Sequence, residues 1–278
     1  MQGKERKFPD CPWHLIRSVK ISRMALLLDL DNTLFDSVGI YEATIKGLEK
    51  NAREFGFKNS DQFRRFYNAA RSETKRDLPK SPTNQLRILY FKKMSESLFG
   101  RTEPKWVLQL EATYFRYFLN GIKEWKLKNK KDFDKILRLL TQIAESRDII
   151  LLTNENLRTQ ILKLTVLFPK SFPYKLMTSQ EAGAEKPARI IFEKAMEFDS
   201  RKNRSTYMIG DSFEGDIEGA LQFGIDAIYI RSIFRNKKAG NIIMEKKIHK
   251  LGEYWESPSL EAGLNFILSL DSGRVITQ

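Results

Sequence analysis

The chain has 278 residues, with 48 Lys and Arg against 35 Asp and Glu, and a formal net charge of +13. Its single cysteine excludes an internal disulfide and a cysteine-rich zinc site. Two histidines leave little scope for histidine-clustered metal sites or histidine-dependent hydrolysis. No apolar run approaches the roughly 18 residues that a membrane span needs, so we expect a cytoplasmic protein without a membrane partner.

The N-terminal segment, residues 1–23, is basic and lacks the apolar stretch of a signal peptide, so we expect a flexible extension ahead of the fold. Within it, Cys11 and Arg17 have the Cys-x5-Arg spacing of a cysteine-dependent phosphatase loop. Such a loop directs several backbone N–H groups at a phosphate. The intervening residues contain no glycine, and Pro12 has no N–H. We therefore attribute the spacing to chance.

A buried strand is predicted at 24–30, where the sequence MALLLDL is almost wholly apolar. Short apolar runs are typical of strands buried on both faces of a parallel sheet, although periodicity alone does not exclude a helix. Similar runs, with helical patterns between them, occur at 148–153, 206–210 and 226–230. The alternation predicts an α/β fold with a doubly wound parallel sheet, built from residues 24–36 and 126–278.

Residues 37–125 have a different pattern. Apolar residues from Val38 to Phe55 are spaced three and four apart, as on one face of a helix, and aromatic stripes recur around Tyr90 and Tyr114. No alternating strand pattern separates these stripes. The region therefore predicts a helical cap domain inserted after the first strand, with its aromatic residues packed in a core.

Acidic residues follow the first predicted strand. Asp29 and Asp31 are two positions apart, so their carboxylates would leave the same face of an extended strand end. Such a pair could hold Mg²⁺, which prefers carboxylates, waters and substrate phosphate. Alternatively, the segment could simply form a turn.

Further polar residues follow the later strands. Thr153 and Asn154 end the strand at 148–153, and Asp211 and Asp216 follow the strand at 206–210. Lys186 directly precedes Pro187, a residue suited to the first turn of a helix. In parallel α/β sheets the ligand crevice lies outside the carboxyl ends of the strands. The ordered set therefore indicates a functional site rather than chance.

In this order, the motifs DLDNTLFD, LLTN, the lysine of AEKPARIIF, and GDSFEGDI resemble those of the haloacid dehalogenase-like (HAD) hydrolase superfamily. The similarity covers most of 24–230, and the helical insertion lies where one branch of the superfamily carries a cap. The resemblance implies an Mg²⁺-dependent phosphatase that hydrolyses a small phosphate monoester through an aspartyl-phosphate intermediate.

The resemblance also implies catalytic roles. Asp29 would be the nucleophile that attacks phosphorus. Asp31 would protonate the leaving oxygen and then accept a proton from the hydrolytic water, so its pKa should suit both tasks. Thr153, Asn154 and Lys186 would bind the phosphoryl oxygens.

The metal site is implied in the same way. Mg²⁺ would be bound by the carboxylate of Asp29, the backbone carbonyl of Asp31, and Asp211, with waters completing the shell. Asp216 would support these ligands from behind or stabilise the local turn. Because the dehalogenases of the superfamily need neither the metal nor the second acid, the presence of Asp31 and Asp211 favours phosphate chemistry. A phosphomutase would retain the same residues and stays an alternative.

The substrate is expected to be a small phosphorylated metabolite, such as a sugar phosphate or a nucleoside monophosphate. The insertion carries 17 Lys and Arg against 10 Asp and Glu, which suits small anions and would also suit RNA. Arg71, Lys75 and Arg87 are candidates for contact with substrate, with nothing in the sequence to choose among them. A non-catalytic, nucleic-acid-binding protein on this fold is the alternative from another functional class, and it is less favoured because no recognised nucleic-acid motif is present.

Overall fold

The computed structural model describes residues 24–198, 206–234 and 244–272. The extension predicted at 1–23, including Cys11 and Arg17, lies outside these ranges.

The described residues form one seven-stranded sheet. Its strands are β1 (Met24–Leu28), β2 (Arg147–Thr153), β3 (Lys175–Thr178), β4 (Tyr207–Gly210), β5 (Asp226–Ile230), β6 (Glu245–His249) and β7 (Gly252–Ser257). They are ordered β3-β2-β1-β4-β5-β7-β6, and all neighbouring pairs are parallel except β6 with β7. The predicted doubly wound, parallel sheet is confirmed, with the addition of an antiparallel strand at one edge.

The described helices belong either to the insertion after β1 or to the segments that flank the later strands. They are α1 (Ser37–Lys50), α2 (Ser60–Asp77), α3 (Arg87–Phe99), α4 (Pro104–Lys128), α5 (Lys130–Ser146), α6 (Leu157–Leu167), α7 (Ser179–Ala182), α8 (Arg189–Met196), α9 (Gly219–Phe223) and α10 (Leu260–Asp271). In the described ranges, no helix is both long enough and apolar enough to cross a membrane.

Strand β1 lies between the two cores of the α/β unit. Its side chains alternate, because successive residues of a strand point to opposite faces of the sheet. Leu26 and Leu28 pack into a core shared with the helices of the insertion, whereas Ala25 and Leu27 pack into a second core on the other face. All four residues are fully buried. The absence of a polar face explains the uninterrupted apolar run in the sequence.

The insertion between β1 and β2 is helical throughout, as predicted. Two boundaries differ from the sequence prediction. Helix α1 ends at Lys50, and a 3-10 turn at Ala52–Phe55 leads into Gly56, whose φ of 82° favours glycine. Helix α4 continues through residue 125 and ends at Lys128.

Aromatic side chains of the insertion form its core. The rings of Tyr41 and Phe118 stack with centroids 4.5 Å apart, and Tyr114 stacks on Phe118 at 6.0 Å. Tyr67 and Tyr90 meet edge to face at 6.0 Å. The aromatic stripes in the sequence therefore serve packing, as expected, and align α1, α2, α3 and α4 against one another.

The insertion lies over the carboxyl-terminal edge of the sheet. Because β1 pairs with β2 on one side and β4 on the other, the residues after these three strands meet at that edge. The hydroxyl of Tyr41 in α1 donates to Glu155 Oε2 at 3.2 Å, and Gln85 Nε2 donates to the carbonyl of Asn154 at 2.9 Å. These contacts bring the insertion onto the loop that follows β2.

Candidate active site

Lys186 lies at the centre of a buried cluster of charges. Its Nζ is 2.6 Å from Asp29 Oδ1 and 2.6 Å from Asp216 Oδ1, and it also donates to the carbonyl of Leu152 at 2.8 Å. All three charged side chains are at least nine-tenths buried. A buried ammonium that is satisfied by three acceptors is held in one position. The structure thus joins Asp29 and Lys186, which are 157 residues apart in sequence.

The backbone around Lys186 is held by Asn154. The side-chain oxygen of Asn154 accepts from the Lys186 N–H at 2.7 Å, and its amide nitrogen donates to the Lys186 carbonyl at 3.0 Å. Sequence reasoning assigned this amide to phosphate, but in the structure both of its ends bind the lysine backbone. Pro187 lies just before α8, which begins at Arg189, and not within the first turn as the sequence suggested.

Asp29, Asp211 and Asp216 form a carboxylate cluster, in which the three ligand atoms lie within 4.8 Å of one another. Thr33 Oγ1 orients Asp211, since it donates to Oδ1 at 3.1 Å and accepts from the Asp211 N–H at 3.1 Å. Gly210 provides the space, because a Cβ there would lie 2.0 Å from Asp216 Oδ2. The cluster includes the side chain of Asp216, whereas that of Asp31 is directed to other partners.

Electrostatic strain in this cluster favours a cation. Burial raises the pKa of Asp29 to about 7, against the opposing charge of Lys186, and repulsion from Asp216 adds to the increase. Burial also raises the pKa of Asp211 to about 6, with repulsion from Asp29 as the next cause. Carboxylate oxygens at this spacing are the hard ligands that Mg²⁺ prefers. The donor set of the cluster therefore fits a magnesium ion.

Asp31 is held by two residues that sequence reasoning missed. Lys163 Nζ contacts both of its carboxylate oxygens, at 2.7 and 2.8 Å, and Gln160 Nε2 donates to Oδ2 at 2.9 Å. Burial alone would raise the pKa of Asp31, but the charge and hydrogen bonds of Lys163 and Gln160 hold it below its ordinary value. One signal in the sequence could have pointed to Lys163: it is a lysine on the same face of α6 as the buried residues Thr159 and Leu164.

Thr153 lies beside this pair, because its Oγ1 accepts from Gln160 Nε2 at 2.6 Å. It is almost fully buried at the end of β2. Gln160 thus bridges the end of β2 to Asp31, and α6 connects two of the residues that the sequence analysis selected.

A cavity of about 330 Å³ opens between the insertion and the loop after β2. Its lining combines acidic, basic and aromatic side chains: Asp31, Asn32, Ser37, Val38, Tyr41, Glu42, Ile45, Tyr67, Asn68, Arg71, Gln85, Arg87, Asn154 and Glu155. The presence of Asp31 in the lining connects this space with the predicted catalytic pair. The volume is within the ordinary range for a small-molecule site.

Comparisons with known proteins identify the family of this chain. Residues 26–230 match the model of the haloacid dehalogenase-like hydrolase family. The chain is 32% identical, over 73% of its length and 83% of the relative, to the ribulose-1,5-bisphosphate 5-phosphatase of Halopiger xanaduensis. It is 24% identical, over 75% of its length and 85% of the relative, to the glyceraldehyde 3-phosphate phosphatase of Methanothermobacter thermautotrophicus.

The fold is also shared with solved structures. The magnesium-bound structure of the HAD-hydrolase YfnB from Bacillus subtilis aligns with a TM-score of 0.56 at 20% identity, covering 88% of this chain and 99% of that one. The family match spans all four motifs from which the resemblance was drawn, and the resemblance is confirmed. The chain belongs to the haloacid dehalogenase-like hydrolases and is an enzyme of that family.

Proposed function

We propose that this hydrolase removes phosphate from small phosphate monoesters, sugar phosphates in particular, in an Mg²⁺-dependent reaction through an aspartyl-phosphate on Asp29. One observation carries the proposal: Asp29 is buried, paired with Lys186 at 2.6 Å, and clustered with Asp211 and Asp216. A carboxylate in this setting can approach a phosphate only if cations offset the repulsion between the two anions. Lys186 supplies one such cation.

Mg²⁺ would supply the other. The carboxylates of Asp29 and Asp211 and the backbone carbonyl of Asp31 would hold the ion, while Asp216 stays bound to Lys186 and to the Ser212 N–H. When bound, the ion would neutralise charge on the phosphate and the nucleophile. The presence of magnesium in the YfnB structure supports this choice of metal.

The reaction would proceed in two steps. In the first, an Asp29 oxygen attacks phosphorus, the bond to the ester oxygen breaks, and Asp31 gives that oxygen a proton. In the second, water attacks the aspartyl-phosphate, Asp31 takes the water proton, and inorganic phosphate and the Asp29 carboxylate are released. Lys186 stabilises charge on the phosphoryl oxygens, and Thr153 lies at the same strand edge.

The partners of Asp31 favour its role in the second step. Lys163 and Gln160 hold its carboxylate as the anion, which is the form that accepts a proton from water. For the first step Asp31 must carry a proton, so its contact with Lys163 must loosen when substrate is bound. We therefore assign Lys163 and Gln160 as positioning residues for Asp31.

The helical insertion, residues 37–125 in the sequence analysis, is proposed to act as the cap over this site. It covers the edge where the strand ends meet, and its side chains line the 330 Å³ cavity. A cap can exclude water once substrate is bound. The cavity favours small molecules, and the relatives named for ribulose bisphosphate and glyceraldehyde 3-phosphate favour sugar phosphates among them.

Phosphatase assays with a chromogenic phosphate ester test this proposal. We expect turnover with Mg²⁺ and loss of turnover with excess chelator. Asp29→Asn should lower kcat at least about a thousandfold, because the amide cannot act as the nucleophile. Asp132→Asn is the matched control, since Asp132 is exposed in the first turn of α5. Turnover that survives both the chelator and Asp29→Asn would contradict the mechanism.

Measurement of the product separates the proposal from its alternatives. A phosphatase releases one inorganic phosphate per ester consumed, whereas a phosphomutase returns the phosphate to the sugar. A dehalogenase would release halide from a 2-haloacid without Mg²⁺. Salt-dependent binding of nucleic acid without any phosphate release would favour the non-catalytic alternative.

A further inference from the structure

Arg87, the first residue of α3, lines the 330 Å³ cavity. Its Nε donates to the Tyr114 hydroxyl at 3.2 Å, and Nη1 donates to the carbonyl of Gln85. The guanidinium also lies 4.8 Å from the ring centroid of Tyr41. These contacts fix its position through neutral groups, and Arg87 forms no ion pair with a carboxylate of the described chain.

Arg71, in α2, lines the same cavity. It is exposed and likewise forms no ion pair within the described ranges. Two arginines therefore line one cavity, and neither forms an ion pair with a carboxylate of the described residues.

The carboxylates that line the cavity are already occupied. Asp31 is paired with Lys163. Oε2 of Glu155 accepts a hydrogen bond from the Tyr41 hydroxyl, and its Oε1 accepts hydrogen bonds from the backbone N–H and the side-chain amide of Asn156. Glu42 is paired with Arg64. Glu155 attracts Arg87 electrostatically but forms no ion pair with it, so an arriving anion would displace no ion pair from Arg71 or Arg87.

The behaviour of Lys75 shows that positive charge accumulates here. Lys75 lies one helical turn after Arg71 in α2. Burial lowers its pKa, and repulsion from Arg71 and Arg87 lowers it further, while Glu185 and Glu155 oppose the change. A region in which several positive charges lie this close together is a favourable place for an anion to bind.

We propose that Arg71 and Arg87 form a subsite for a second anionic group of the substrate, in the cavity that also contains Asp31. The substrate would then carry two anions: the phosphate that is cleaved and a second group, either phosphate or carboxylate, that the two arginines bind. This inference rests on the proposed phosphatase function and narrows its substrate class. Planar guanidinium groups suit both kinds of anion because they bind two oxygens at once.

Paired substrates test the subsite. The value of kcat/KM is measured for fructose 1,6-bisphosphate against fructose 6-phosphate, and for 3-phosphoglycerate against glycerol 3-phosphate. We expect the wild-type protein to prefer the member with the second anion by about tenfold or more in at least one pair, because a charge-assisted hydrogen bond is worth that much. Preference in the first pair identifies phosphate, and preference in the second identifies carboxylate.

Variants then assign the preference to residues. Arg71→Gln should lower the ratio of the two kcat/KM values by about tenfold, and Arg87→Gln should do the same. Arg71→Gln is the decisive variant, because Arg71 is exposed and its loss leaves the folded core intact. Arg76→Gln is the matched control: it removes one positive charge from the same helix, at a residue outside the cavity lining, and should leave the ratio unchanged.

The outcomes separate the two proposals. Activity on the chromogenic ester without preference in either pair would overturn the subsite and leave the phosphatase function intact. An equal loss of preference in Arg71→Gln and Arg76→Gln would also overturn it, since the effect would then come from net charge alone. Inactivity on every phosphate ester would overturn the phosphatase function and this inference with it.

Discussion

Lys163 is an unusual residue for the interior of an α/β unit. It is fully buried, and its ammonium lies 5.3 Å from the ring of Tyr41 and 5.8 Å from that of Phe118, while Asp31 neutralises it. Burying a charge is costly unless a partner compensates it. The aromatic core of the insertion and the carboxylate of the predicted acid/base are therefore linked through one side chain.

Replacement of this lysine should affect proton transfer. In Lys163→Met the apolar contacts are retained, but Asp31 loses the partner that orients it. We expect kcat to fall by about tenfold or more on alkyl phosphates, whose leaving oxygen needs a proton. The decrease should be much smaller on p-nitrophenyl phosphate, whose leaving group is stable as an anion. The measurement is the ratio of the two kcat values.

Lys170→Met, at an exposed position just beyond α6, is the control and should leave this ratio unchanged. Equal losses on both substrates would indicate that Lys163 serves only folding.

Sequence alone selected those residues of the candidate site that lie in short motifs. Two of them, Asp29 and Asp211, directly follow predicted strands, and Lys186 directly precedes a predicted helix. Residues that follow parallel strands meet at one edge of the sheet, so their proximity could be expected. Lys163 and Gln160 could not be found in this way. Their roles depend on which face of α6 meets Asp31, and that depends on how the helix packs against the insertion.

Among the elements, the strands buried on both faces were predictable. β1, β2, β4 and β5 are apolar runs whose composition reflects their central positions in the sheet. β3 begins with an exposed lysine, and β6 and β7 are rich in charged residues, with several side chains half-buried or exposed. β3 and β6 are the edge strands of the sheet and β7 lies next to β6, so these strands are less deeply buried and lack both the apolar run and a clear alternation.

The first residue of β2 is tied to the end of α10 by a buried ion pair. Arg147 Nε lies 3.1 and 3.0 Å from the two carboxylate oxygens of Asp271, and Nη2 lies 2.6 Å from Oδ1. The side chains are 2% and 11% exposed. The pair connects the amino-terminal edge of the sheet to the helix that covers one face of it.

Removal of one partner should therefore destabilise the fold. Asp271→Ala leaves the guanidinium of Arg147 buried without its carboxylate, and we expect the free energy of unfolding to fall by about 3 kcal/mol. Asp148→Ala is the control at the next residue of β2, because its pair with Lys175 is partly exposed and should contribute less than about 1 kcal/mol. Urea denaturation measures both; similar values for the two variants would contradict the special role of Arg147 and Asp271.

We expect the carboxylate cluster to couple the stability of the whole fold to pH and to metal binding. The pKa of Asp29 is raised from 3.8 to about 7, and that of Asp211 from 3.8 to about 6. Between pH 4 and 7 the folded protein therefore holds protons that the unfolded chain has released. Stability falls with rising pH wherever the folded state binds more protons. The lowered pKa of Asp31 has the opposite effect, but only below about pH 4.

In the presence of a chelator, we therefore expect Tm to fall as the pH rises from 5 to 7.5. Mg²⁺ binds the deprotonated carboxylates, so its addition should raise Tm by several degrees at pH 7.5 and by much less at pH 5. Asp211→Asn removes one ligand and should abolish the response to Mg²⁺, whereas Asp132→Asn should retain it. Thermal unfolding at the two pH values measures this. An Mg²⁺-induced increase of the same size at both pH values, or one that persists in Asp211→Asn, would show that the ion binds outside the cluster.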